Sequence, residues 1–171
     1  ELSEIQETGS GFQNLILFDK KTETELSLSD VGFGLCQTIP VLFYLDPDHK
    51  GLVSIEQPES QLHPAGQAEL GDSVLEGALG GNRQAPILIE THSEHLILRI
   101  LRRIRETTHG ELPDGCQAVR PEDVAVLYVE PTSDEGTEGS DIIEIPITED
   151  GEFGRAWPNG FFPERFEELF S

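Results

Sequence analysis

Residues 51–64 read Gly51-Leu52-Val53-Ser54-Ile55-Glu56-Gln57-Pro58-Glu59-Ser60-Gln61-Leu62-His63-Pro64. The apolar run 52–55 is too short for a lone helix and has the character of a buried strand. Glu56, Gln57 and Glu59 follow at once, and Pro58 turns the chain among them. The acidic and amide groups therefore sit where a strand ends. In open α/β sheets, ligands bind outside the carboxyl ends of strands. Taken alone, the stretch reads equally as a core strand followed by a solvated acidic turn.

Working outward, the whole chain has 171 residues, enough for one domain with a real core. Hydrophobic residues make up 36% and charged residues 26%, which places it among water-soluble globular chains. No apolar run approaches membrane-spanning length and no signal-peptide pattern opens the chain, so a cytoplasmic protein is expected. It does not start with Met and is read as a piece of a longer protein. Cys36 and Cys116 lack CxxC spacing, and reduced thiols are the default. The net charge of -22 excludes a general affinity for nucleic-acid backbones. Arg99, Arg102, Arg103 and Arg105 hold 4 of the 11 basic residues and read as a solvated helix face.

In chain order, residues 1–11 look polar and frayed. Residues 14–19 predict a strand and 25–28 its hairpin partner. Leu28-Ser29-Asp30-Val31-Gly32-Phe33-Gly34 leads into an apolar helix over 35–45, with Pro40 inside it. A glycine-rich turn feeding a helix N-terminus is an anion site in principle, but taken alone it reads first as a plain cap with glycines for close packing. Pro64 starts a helix over 65–79. Residues 86–91 predict a second buried strand, ending in Thr91-His92-Ser93-Glu94-His95. A helix over 94–107 shows an apolar face of Leu96, Ile97, Ile100, Leu101 and Ile104. Strand, helix, strand, helix argues for a parallel sheet. Residues 124–129 predict a third core strand and 141–146 an edge strand. Low complexity is confined to 132–140. A short helix over 164–170 closes the chain. Phe161, Phe162, Phe166 and Phe170 are expected to cap the core, and Trp157 to pack there or line a pocket.

Three features line up: a glycine-rich helix entry with Ser29, an acidic strand end at Glu56, and a His-bearing strand end at His92. This resembles the second half of an ABC-type ATPase head, in the branch of RecF-like and overcoming-lysogenization-defect-like AAA ATPases. Residues 28–32 resemble the signature motif. Residues 52–64 resemble Walker B with the D-loop, and 87–93 the switch-histidine strand. The match is nearer still to a little-characterised bacterial family. Its members carry Val-Gly-Phe-Gly, Glu-Gln-Pro-Glu, Glu-Thr-His-Ser-Glu-His and Trp-Pro-x-Gly-Phe-Phe, here at 31–34, 56–59, 90–95 and 157–162.

The resemblance implies a P-loop NTPase-like α/β fold, a partial parallel sheet flanked by helices. The ATPase core would cover residues 1–130, and a family-specific strand-and-helix extension 131–171. It implies ATP and Mg²⁺ as ligands, with Glu56 holding Mg²⁺ directly or through water. The next position usually carries the Glu that polarises the attacking water, and here it is Gln57. An amide orients water but takes no proton as a carboxylate does, so hydrolysis is expected to be slow. Glu59 is near enough in sequence to substitute. His92 would meet the γ-phosphate or the attacking water. Ser29, Gly32 and Gly34 would contact the γ-phosphate of nucleotide on a second subunit, making the ATP-bound form a homodimer.

A Gly-x-x-x-x-Gly-Lys-Ser/Thr phosphate loop occurs nowhere in these residues. An N-terminal half or a partner subunit is expected to supply it, and the stretch alone to bind ATP poorly. The family analogy adds an effector such as a nuclease, in DNA-related or phage-defence work. A non-catalytic interaction domain that kept the ATPase fold is the alternative. A transition-metal site from His63, His92 and His95 with Glu90 or Glu94 is a further one. No Gly-x-Ser-x-Gly elbow points to a serine hydrolase.

Overall fold

The computed structural model describes residues 2–7, 13–19, 22–82, 85–132 and 139–158. The chain opens with an antiparallel sheet of strands β1 (Leu2–Glu7), β2 (Gln13–Asp19) and β3 (Thr24–Ser27), in that order. The β2–β3 hairpin is as expected. The frayed start is not: residues 2–7 pair with β2, with an irregularity between Leu2 and Glu4. A strand has two edges of backbone donors and acceptors. β3 satisfies one edge of β2, and β1 takes the other.

Helix α1 (Phe33–Tyr44) starts two residues earlier than the glycines suggested, with Gly32 in extended conformation as its N-cap. Pro40 sits inside it. The ring removes the N–H that the Cys36 carbonyl would otherwise accept, yet the helix runs on. Strand β4 (Val53–Glu56) then pairs in parallel with β5 (Ile87–Glu90), matching Val53 with Ile87 and Glu56 with Glu90. The crossover between them is helix α2 (Pro64–Leu79), and helix α3 (Glu94–His109) follows β5. Pro64 occupies the first turn of α2, where its missing N–H costs nothing, and the His63 ring nitrogen accepts from Ala65 N–H. Ser93 caps α3, its Oγ accepting the Leu96 N–H at 3.0 Å. Gly110 ends α3 in the left-handed region, at φ 69°.

The parallel pair alternates. Ile55, Ile87 and Ile89 turn toward the helices, where Leu45, Leu70, Val74 and Leu96 form the first core, and Val53 is buried as well. Leu52 and Leu88, at 65% and 55% exposure, lie outside that packing. A second core of Leu75, Ile104 and Val119 lies further along α2 and α3, and Ile100 touches both. Gly77 lets α2 approach the Leu45 carbonyl at the end of α1 so closely that a Cβ would collide with it.

Two expectations need correction. Residues 124–129 do not form a buried core strand. Strand β6 (Val126–Pro131) instead pairs antiparallel with β7 (Ser140–Ile145) as a separate ribbon. Its exposure alternates residue by residue, with Leu127 and Val129 open to solvent. A half-covered ribbon, not a fully buried strand, explains that pattern. The ribbon spans the expected division between residues 130 and 131. The arginine cluster is also not simply solvated. Arg99 and Arg103 reach across to Asp72 on α2, and Arg103 and Arg102 both hold Glu106. Arg103 is buried, and each of its three guanidinium nitrogens donates a hydrogen bond, two to Asp72 and one to Glu106.

Burial pushes the Asp72 carboxyl up, but the hydrogen bonds and charges of Arg103 and Arg99 outweigh it and hold it below its ordinary value. Glu106 is likewise lowered: burial raises it, and bonds from Arg102 and Arg103 more than reverse that. Arg103 is raised, chiefly by its bond to Asp72. Trp157 packs edge-to-face on Tyr128 at 5.7 Å and tilted on Phe153 at 5.0 Å, a packing role on the ribbon. The phenylalanines at 161, 162, 166 and 170 and the expected helix over 164–170 lie outside the described residues. Cys36 and Cys116 are free thiols. Among the described residues no helix is long and apolar enough to cross a membrane.

Candidate functional site at the β4–β5 strand ends

Parallel pairing places the last residues of β4 and β5 side by side. Glu56 and Glu90 are partners in register, and both side chains are exposed. Beyond Glu56 the chain turns sharply. Gln57 takes φ 46°, a left-handed conformation that costs a non-glycine residue about 1 kcal/mol or more. The turn lets the Gln57 N–H donate to the Glu90 carbonyl at 2.7 Å. Two short bonds continue it, from Ser60 N–H to the Gln57 carbonyl at 3.1 Å and from Leu62 N–H to the Glu59 carbonyl at 3.0 Å. Gln61 is the second left-handed residue, at φ 66°.

Pro58 and Glu59 are buried beneath this turn. Glu59 Oε1 accepts the backbone N–H of His92 at 2.8 Å. Its Oε2 is buried with no hydrogen-bond partner among the described residues. Such an orphan costs about 1–3 kcal/mol, a cost tolerated where function requires the group. The His92 side chain stands exposed above its held backbone. Ser93 is tied in as well: its Oγ donates to Gln67 Oε1 at 2.7 Å, and Gln67 Nε2 donates to the Leu62 carbonyl at 3.0 Å.

The helix entry that sequence marked for anions meets the same turn. A Cβ at Gly34 would collide with the Gln61 carbonyl, so glycine is required there for close approach of α1 to residues 57–62. Gly34 thus lies inside α1 and packs, while Gly32, ahead of it, faces open space. Ser29 is exposed and shares a 2.6 Å hydrogen bond with the Ser27 hydroxyl. Asp30 accepts from both the Ser27 hydroxyl and the Ser27 N–H, which together hold its carboxyl below the ordinary value.

The structure therefore brings Glu56, Gln57, Glu59 and His92 to one edge. It joins α1 to that edge through Gly34 and Gln61. Sequence reasoning missed the roles of Gln67 and Ser93, which carry no spacing signal until α2 and α3 are placed. Beyond its place in the 90–95 motif, Glu90 enters the sequence reading as an alternative metal ligand. Its position at the end of a second four-residue apolar strand was the available hint. Among the described residues no group of three or more His, Cys, Asp or Glu is arranged to hold a metal ion, and His63 is engaged as a cap. Mg²⁺ asks for less, since it is bound through one or two carboxylates plus substrate phosphates and water. The exposed carboxyl of Glu56 at a strand end fits that requirement. A surface hollow lined by Leu42, Phe43, Pro47, Ser73 and Glu76 lies between α1 and α2, away from these groups.

Comparison with known proteins gives two family matches. No curated protein and no solved structure matches the chain. A family model described as a protein of unknown function (DUF3696) matches residues 119–171, the part holding the β6–β7 ribbon. The model described as the AAA ATPase domain matches residues 1–97, which hold all the strand-end residues. That match covers more than half of the 171 residues, and the chain belongs to the AAA ATPase domain family.

Proposed function

We propose that the β4–β5 strand ends form the magnesium-and-water edge of an ATP-hydrolysing site, in an ABC-type head of the RecF-like branch. The observation that carries this reading is the convergence of Glu56 and His92 on one turn, through strand register and the bond from His92 N–H to Glu59. Glu56 would hold Mg²⁺, which offsets phosphate charge when bound with the nucleotide. Gln57 would orient water without taking its proton, so turnover is slow. The exposed His92 ring would meet the γ-phosphate or the water. Ser29 and Gly32, at the open entry to α1, would face nucleotide on a second copy in a homodimer. A phosphate loop from an N-terminal half or a partner completes the site, and an effector such as a nuclease would use the cycle in the cytoplasm.

The test is ATP turnover in the protein carrying its phosphate loop. Alanine at Glu56 or His92 is expected to remove Mg²⁺-dependent hydrolysis, and Gln57→Glu to raise it. Turnover at the parental rate in both alanine variants sinks the site assignment. A second reading, an interaction domain that kept the fold, is favoured by the exposed Leu52 and Leu88 on the open side of the parallel pair. It gains if the loop-bearing protein folds, dimerises or binds partners, yet hydrolyses no ATP.

A further inference from the structure

We infer that Glu59 is a positioning residue, which holds the His92 backbone at the strand end and does not act as the base for water. Sequence alone allowed it to substitute for the missing carboxylate at Gln57. Geometry argues otherwise. A general base must reach the water whose proton it takes. Glu59 is only 7% exposed, and one of its two oxygens is committed to the His92 N–H at 2.8 Å. The other oxygen is buried in the protein.

The surrounding bonds describe a strap. Gln57 N–H holds the Glu90 carbonyl, Glu59 holds His92, and Gln67 links Ser93 to the Leu62 carbonyl. Residues 57–62 are thereby tied to residues 90–93 at three successive points. Only the middle tie comes from an ionisable side chain, and only it acts at the residue whose ring is free. Its effect is to fix the root of the His92 side chain while leaving the ring exposed. The Gln61 carbonyl, in the same turn, rests against Gly34 of α1, so α1 packs directly on the turn that holds His92. The role in turnover rests on the proposed ATPase site. The strap itself does not.

Two substitutions separate the roles. Glu59→Gln keeps a carbonyl oxygen to accept the His92 N–H but removes proton-accepting ability. Glu59→Ala removes both. In the 171-residue chain, amide exchange at His92 is expected to rise about tenfold or more in Glu59→Ala and to stay within about threefold of the parent in Glu59→Gln, with Ile104 exchange unchanged. In the loop-bearing protein, Glu59→Ala should lower kcat about tenfold with KM for MgATP nearly constant, and Glu59→Gln should restore most of the loss without moving the pH profile. The proposal is overturned if Glu59→Gln is as inactive as Glu59→Ala, the result a base would give. It is equally overturned if His92 exchange is parental in a folded Glu59→Ala. Should Glu59→Ala not fold, Glu59→Gln alone decides: loss of turnover with slow His92 exchange sinks the positioning role. If the parent protein shows no turnover at all, the ATPase reading falls, and His92 exchange still decides the strap.

Discussion

The seam between α2 and α3 and the turn after β4 sit on the same scaffold, yet they are built on opposite terms. In the seam Asp72, Arg99, Arg102, Arg103 and Glu106 pair with one another. Arg103 is buried but shared between Asp72 and Glu106, and Ile104 beside it is fully enclosed. In the turn, two non-glycine residues hold left-handed conformations, one buried carboxyl oxygen has no partner among the described residues, and the side chains of Glu56, Gln57 and His92 stand open. The difference teaches where stability and chemistry reside. Helix packing supplies the free energy, and the strand-end turn spends some of it to keep groups in costly arrangements.

Breaking the seam should show the largest effect. Ile104→Ala removes a fully enclosed side chain between two helices and is expected to destabilise the chain by about 3 kcal/mol, read as a lower denaturant midpoint at constant slope. A loss under about 1 kcal/mol would mean that the second core is loosely packed. Asp72→Ala comes next. It leaves Arg103 and Arg99 short of a partner, although Glu106 remains and Asp72 is a third exposed, so roughly 1–2 kcal/mol is expected.

The same network has a pH signature. Asp72 and Glu106 have folded-state values below their unfolded ones. Their contribution is complete above the unfolded carboxylate values and is lost as the pH falls through the lower, folded ones. Stability of the parent should therefore drop on acidification below about pH 4.5, and the drop should be shallower in Asp72→Ala. An identical acid profile in both proteins would show that the network contributes nothing to folding. The smallest effect belongs to the turn. His92→Ala should change stability by less than about 0.5 kcal/mol, because only the backbone of His92 is held. A loss as large as that of Asp72→Ala would erase the contrast between the two regions.

The elements of the parallel unit were legible because their signals are local. Residues 52–55 and 87–89 are short, largely apolar runs, and Pro64 marks the start of α2 with backbone chemistry that does not depend on neighbours. What stayed hidden was long-range. An alternating strand such as β6 gives no sign of which sheet it will join, so residues 124–129 read only as a core strand. Arg103 looked solvated because its partner Asp72 is 31 residues away. At the site, motif order pointed to Glu56, Gln57 and His92. The burial of Glu59 was not readable, because an acidic residue in a turn is exposed by default.

One consequence follows from the way the helices meet the parallel pair. α3 begins soon after β5 ends, α2 begins directly after the turn that follows β4, and α1 brings its second residue, Gly34, against that same turn. Three helix N-termini therefore open near one edge, each carrying roughly half a positive charge from its unpaired backbone N–H groups. The side chains there are acidic, but the backbone beneath them is electropositive. A chain of net charge -22 thus keeps, at this edge, a set of oriented peptide dipoles of the opposite sign.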